Sequence, residues 1–131
     1  MITALDSALL FDLFLADRRH GAAAAELVRR CRAAGHLVAC DLVWAEVAAL
    51  FGSGARAEAA LTRLGVELLP VDRAVAGRAA DAWARQSRSS RRQPVARFIV
   101  GAHALVQADR LATRDRGFYG RHFRKLKLVL P

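Results

Sequence analysis

The chain has 131 residues, 54% of them hydrophobic, which supplies one core and excludes a disordered chain. Twenty-one basic residues against twelve acidic ones give a formal charge of +9, pointing to an anionic partner, either nucleic acid or an acidic protein segment. No apolar run reaches membrane-spanning length, since Asp12, Asp17, Glu46 and Arg56 break the longest candidates, and the start lacks the features of a signal peptide; no membrane partner and a cytoplasmic location are expected.

Ile2 to Leu5 is a short apolar run that predicts a first strand, ending at Asp6. Leu9, Leu10, Leu13 and Phe14 then recur at helical spacing over Ser7 to Ala16. Ala24, Leu27, Val28 and Cys31 mark a second helix closed by Gly35. His36 to Cys40 predicts a strand, with Asp41 as the N-cap of the following helix, where Val43, Glu46, Val47 and Leu50 share a face. Cys31 and Cys40 have no metal spacing and are expected to be buried thiols. Gly52-Ser53-Gly54 ends that helix and opens another, with Ala57, Ala60, Leu61 and Leu64 inward.

Val66 to Val71 predicts a third strand, and Asp72 caps a helix carrying Val75, Ala79, Ala82 and Trp83. Arg85 to Pro94 is polar and basic and predicts a loop. Val95, Phe98, Ile99, Ala102, His103 and Val106 form the next helix face, with His103 expected as a satisfied core or interface histidine. Leu111 to Thr113 predicts a fourth strand, Gly117 to Phe123 a tight aromatic segment, and Leu126 to Leu130 a last strand. Apolar strands alternating with helices imply an α/β protein with a parallel sheet covered on both faces, in a single domain over residues 1–131.

Three acids stand out against this frame. Asp6 closes the first strand and Asp115 follows the fourth, and ligands of open α/β sheets gather at the carboxyl ends of strands. Asp6 as an N-cap and Asp115 as a turn residue are the plain alternatives. Glu46 lies on an apolar helix face, three residues past Val43, and so is expected to turn its carboxylate toward the core. A buried carboxylate needs a cation, either a shared metal or one of the many arginines. Converging carboxylates raise one another's pKa, and a hard divalent ion such as Mg²⁺ or Mn²⁺ relieves that repulsion.

The segments ITALDSALLFDLF, CDLVWAEV, FIVGAHALVQADRLATRDRGFY and LKLVLP, spread over nearly the whole chain, resemble the PIN domain, and within it the VapC-type toxins of toxin–antitoxin pairs. The resemblance implies a three-layer α/β/α sandwich around a parallel sheet of four to five strands. It also implies Mg²⁺- or Mn²⁺-dependent endoribonuclease activity, a homodimer and a VapB-type antitoxin. By motif position it makes Asp6, Glu46 and Asp115 the metal-site acids, with Thr113 as a supporting hydroxyl and Ser7 beside the first acid. A further Asp is expected just before FIVGAHA, and this chain has Arg97 there. Asp and Arg codons differ at more than one base. The leading explanation is a substitution introduced to silence a toxic nuclease; natural loss of catalysis and residual weak metal binding are the others. In each, the guanidinium of Arg97 is expected to stand where a cation would.

RNA is the expected substrate, a tRNA or another structured RNA. Arg88, Arg91 and Arg92 in the basic loop, together with Arg114 and Arg116 near Asp115, are the expected phosphate contacts. Tyr119 and Phe123 are expected mainly to close the core, with base stacking as the alternative. The expected reaction is one-step phosphodiester hydrolysis, blocked here by Arg97. A module that binds RNA or antitoxin without cutting is the second hypothesis, and a DNA nuclease the third.

Overall fold

A computed structural model describes residues 1–86 and 93–131. Five strands, β1 (Ile2–Leu5), β2 (His36–Ala39), β3 (Val66–Leu68), β4 (Arg110–Ala112) and β5 (Leu128–Val129), form one sheet in the order β3-β2-β1-β4-β5. Every pairing is parallel, with Ala4 opposite Val38 on one side and Leu111 on the other. The inner strands are buried through Ala4, Leu5, Leu37, Val38, Ala39, Leu111 and Ala112, as a sheet covered on both faces requires.

The described helices are α1 (Ser7–Phe14), α2 (Gly21–Ala34), α3 (Asp41–Phe51), α4 (Gly54–Leu64), α5 (Arg73–Ala84), α6 (Val95–Gln107) and α7 (Arg116–His122). With the sheet between them they make a three-layer α/β/α sandwich. Strand order reverses between β1 and β4, because β2 continues to one side of β1 and β4 lies on the other. That switch point opens a crevice at the carboxyl ends of the two strands, where Asp6 and Thr113 follow.

Local chemistry explains most boundaries. Gly52 closes α3 at φ +66, a conformation that costs glycine little. Ser53 then caps α4 through its bond from the Arg56 N–H, and Asp72 caps α5 by accepting from the Val75 N–H at 2.9 Å. The cysteines are buried thiols as expected, and buried His103 bonds the Leu69 carbonyl at 2.9 Å.

Several expectations are corrected. Cys40, not Asp41, is the N-cap of α3; Asp41 is the first helical residue, and its carboxylate is oriented to the N–H groups of Leu42 and Val71. Leu50, Val95 and Val106 are exposed, lying at the margins of their apolar stripes. The third and fifth strands pair over only three and two residues, as edge strands commonly do. The aromatic segment after Asp115 is a helix, capped by that aspartate and buried through Phe118 and Tyr119.

Candidate active site

Asp6 leaves the end of β1 buried and occupies the N-cap position of α1, yet its side chain makes no cap bond. It is directed into the crevice instead. Thr113, fully buried just beyond β4, donates its hydroxyl to Asp6 Oδ2 at 2.7 Å and accepts the Asp115 N–H at 3.0 Å. The Tyr119 hydroxyl donates to the other Asp6 oxygen at 3.5 Å. One buried threonine thus fixes both strand-end acids relative to each other.

Asp115 caps α7, accepting the Phe118 N–H at 3.1 Å through Oδ1, while Oδ2 pairs with the Arg97 guanidinium. Arg97 enters from the first turn of α6 and lies over the Phe118 ring, 4.3 Å from its centroid, and 6.0 Å from that of Tyr119. A cation on an aromatic face and beside a carboxylate is held from two directions. Glu46 reaches the same space from α3, accepting from the Ser7 hydroxyl at 3.4 Å. It is half-buried, not turned into the core. Position 46 lies on the flank of the stripe made by Val43 and Val47, which are buried.

These groups line one cavity of about 510 Å³, shared by Asp6, Ser7, Glu46, Arg97, Arg114 and Asp115 among others. The acids that sequence pattern singled out from distant segments therefore meet, and Thr113 lies beneath them. Burial lifts the Asp6 carboxyl above its ordinary pKa, and the bonds from Thr113 and the Ser7 backbone and the charge of Arg97 oppose the lift without cancelling it. Glu46 is raised by burial first, with the charge of Asp6 adding to it. Burial also drives the Tyr119 hydroxyl far up, with Asp6 adding to the rise, so it stays a proton donor.

The donor chemistry of this set suits a hard divalent cation, but its present arrangement does not fit one. Arg97 holds Asp115. Among the described residues, Asp6, Glu46 and Asp115 do not bring three ligand oxygens within 4.8 Å of one another. The group that does, Asp12, Asp17 and His20, is already committed. Buried Asp12 takes both Nε and Nη2 of Arg114, at 2.8 and 3.2 Å, and Asp17 holds the backbone N–H groups of Arg19 and His20 and the His20 ring.

Of the expected RNA contacts, Arg114 lines the cavity while tied to Asp12, and Arg116 is exposed at the start of α7 without lining it. Arg88, Arg91 and Arg92 lie outside the described residues. Sequence reasoning gave Asp12 no role and gave Tyr119 only a packing or stacking one. Asp12 follows Asp6 by six residues and faces inward on an apolar helix, an anomaly of the kind that drew attention to Glu46. The contact of Tyr119 with Asp6 leaves no trace in sequence spacing.

A PIN domain model matches residues 3–123. The chain belongs to the PIN domain family. Among solved structures it is similar to a chain of VapBC2 from Rickettsia felis bound to a DNA fragment from their promoter, with 12% identity, TM-score 0.78, and 100% and 99% of the two chains covered. It is also similar to a toxin–antitoxin complex from Klebsiella pneumoniae, with 20% identity, TM-score 0.66, and 97% and 95% covered. A third likeness is to FitAB bound to the IR36 DNA fragment, with 17% identity, TM-score 0.68, and 100% and 95% covered. At such identities the likeness is one of fold. No curated protein matches the chain in sequence. No helix among the described residues is long and apolar enough to cross a membrane.

Proposed function

We propose that this chain is the toxin of a toxin–antitoxin pair, of VapC type, whose site is designed for metal-dependent cleavage of RNA and is held shut in this sequence by Arg97. The pairing of Arg97 with Asp115 inside the carboxylate crevice carries the reading. A guanidinium there supplies the positive charge that converging acids require and takes an oxygen that a metal would need. Support for an antitoxin partner comes from the fold: one of the similar structures is a toxin–antitoxin complex, and the other two are VapBC2 and FitAB bound to DNA. A cytoplasmic homodimer neutralised by a VapB-type antitoxin follows from the family resemblance.

In this reading the chain binds Mn²⁺ weakly and leaves RNA intact, and Arg97→Asp restores both binding and cleavage. Calorimetric titration with Mn²⁺ and gel assay on structured RNA test it, run on the parental chain and the variant. Equal Mn²⁺ affinity in the two chains refutes the role given to Arg97. Tight metal binding by the variant with intact RNA favours the second reading, a module that binds antitoxin or RNA without cutting. Cleavage of DNA in preference to RNA would reassign the substrate.

A further inference from the structure

A second cavity, of about 470 Å³, opens between the C-terminal half of α5 and the end of α7. Its floor is apolar, made by Ala82, Leu105 and buried Phe123. Its rim is cationic: Arg78 and Arg85 come from α5 and its C-cap, and Arg121, Arg124 and Lys125 from α7 and the turn beyond it. Asp81 is the one acid lining it. All five cations are exposed, and none has a described carboxylate within ion-pair distance. Among the described residues only Arg29, Arg97 and Arg114 of the arginines have a carboxylate partner, and what sets this rim apart is that five unpaired cations surround one recess.

Aromatic packing links the two cavities. His122 lines the second, and its ring packs 4.8 Å from Phe98 and 4.7 Å from Phe118, the ring on which Arg97 lies. Partial burial first, then the charges of Arg121, Arg85 and Arg97, hold His122 below its ordinary pKa. The same histidine therefore feels cations from both cavities.

We propose that this second cavity binds the sugar–phosphate backbone of single-stranded RNA, seating the strand next to the carboxylate crevice. Unpaired cations around a concavity match a chain of phosphates, and a flexible strand can bend into a recess between helix ends that a rigid duplex spans. A second copy of this chain is a poor occupant, since it would set cationic rim against cationic rim. The inference rests on reading the chain as directed at RNA, but it concerns binding and needs neither metal nor cleavage.

The test is fluorescence anisotropy of the full chain with a labelled single-stranded RNA of roughly 16 nucleotides, in EDTA, across about 50 to 200 mM salt. The double substitution Arg121→Ala/Arg124→Ala is expected to weaken binding several-fold. It should also flatten the slope of log affinity on log salt by about 0.7 per lost phosphate contact, about 1.4 in all. Arg121→Lys/Arg124→Lys should keep most of the slope, and Arg30→Ala, at an exposed position of α2, should leave it unchanged. Identical slopes for the parental chain and the alanine double variant overturn the proposal. So does stronger binding of duplex DNA than of the RNA, or no RNA binding by the parental chain at low salt. If the slope change is seen but Arg97→Asp does not cut, the nuclease reading fails and the binding cavity stands.

Discussion

Asp6 is subject to opposed influences, and the balance predicts how stability follows pH. Burial favours its neutral form, while bonds from Thr113, the Ser7 backbone and Tyr119, with the charge of Arg97, favour the ionised one; burial prevails and the folded pKa lies above the unfolded value of about 3.9. The folded chain therefore binds this proton more tightly than the unfolded chain. Its contribution to stability is fully present below the unfolded pKa and is lost as pH rises through the folded one. Asp6→Asn keeps an oxygen for Thr113 to donate to and removes the titration. Relative to the parental chain, the variant should gain stability between pH 3.5 and pH 7, both read in roughly by urea unfolding at each pH. A difference that stays constant with pH, or shrinks toward neutrality, would show that Asp6 ionises freely in the folded state.

At the scale of elements, α6 and α7 are locked together at one glycine. A Cβ on Gly101 would strike the edge of the Phe123 ring, which is buried just past the end of α7. Alanine would gain about 1 kcal/mol in helix propensity over glycine, but crowding a packed core costs about 1–3 kcal/mol. Phe123 is held by Phe98 on its inner side and has little room to yield, so crowding should win. Gly101→Ala is expected to lower the urea midpoint, and its cost should shrink in a Phe123→Leu background. A stabilised Gly101→Ala protein would mean that the ring moves aside freely and that α6 and α7 are loosely joined. The same region shows where local reading of sequence runs out. With Gly117 and Gly120 in seven residues, α7 has poor intrinsic propensity; it forms because Asp115 caps it and two aromatic residues bury against α6. By contrast β1, α2, α4 and α5 were legible from apolar spacing and from Gly35, Ser53 and Asp72, whose effects are local. For the acids, pattern identified which residues meet but not how. Asp6, Glu46 and Asp115 share a cavity, whereas the Thr113 bridge, the Tyr119 bond and the Arg114–Asp12 pair depend on tertiary approach across about a hundred residues of chain.

For the whole molecule, Arg97 decides whether the fold is self-sufficient. In the parental chain the crevice is balanced internally, since Asp115 has a guanidinium and Asp6 has two hydroxyl donors and the nearby positive charge. Replacing Arg97 with aspartate removes the cation and adds a fourth carboxylate to a partly desolvated space. Like charges at that range destabilise the native state and raise one another's pKa. An ion that binds only the folded chain repays this by mass action, with about 2.7 kcal/mol when its concentration is a hundred times Kd. Thermal unfolding should therefore separate the two proteins in both directions. In EDTA the Arg97→Asp chain should melt below the parental chain. With millimolar Mn²⁺ it should climb several degrees, while the parental chain, its crevice already occupied by a guanidinium, stays where it was. A parental chain that gains as much from Mn²⁺ as the variant would mean that Arg97 swings clear of the acids and that the crevice admits metal without any change of sequence.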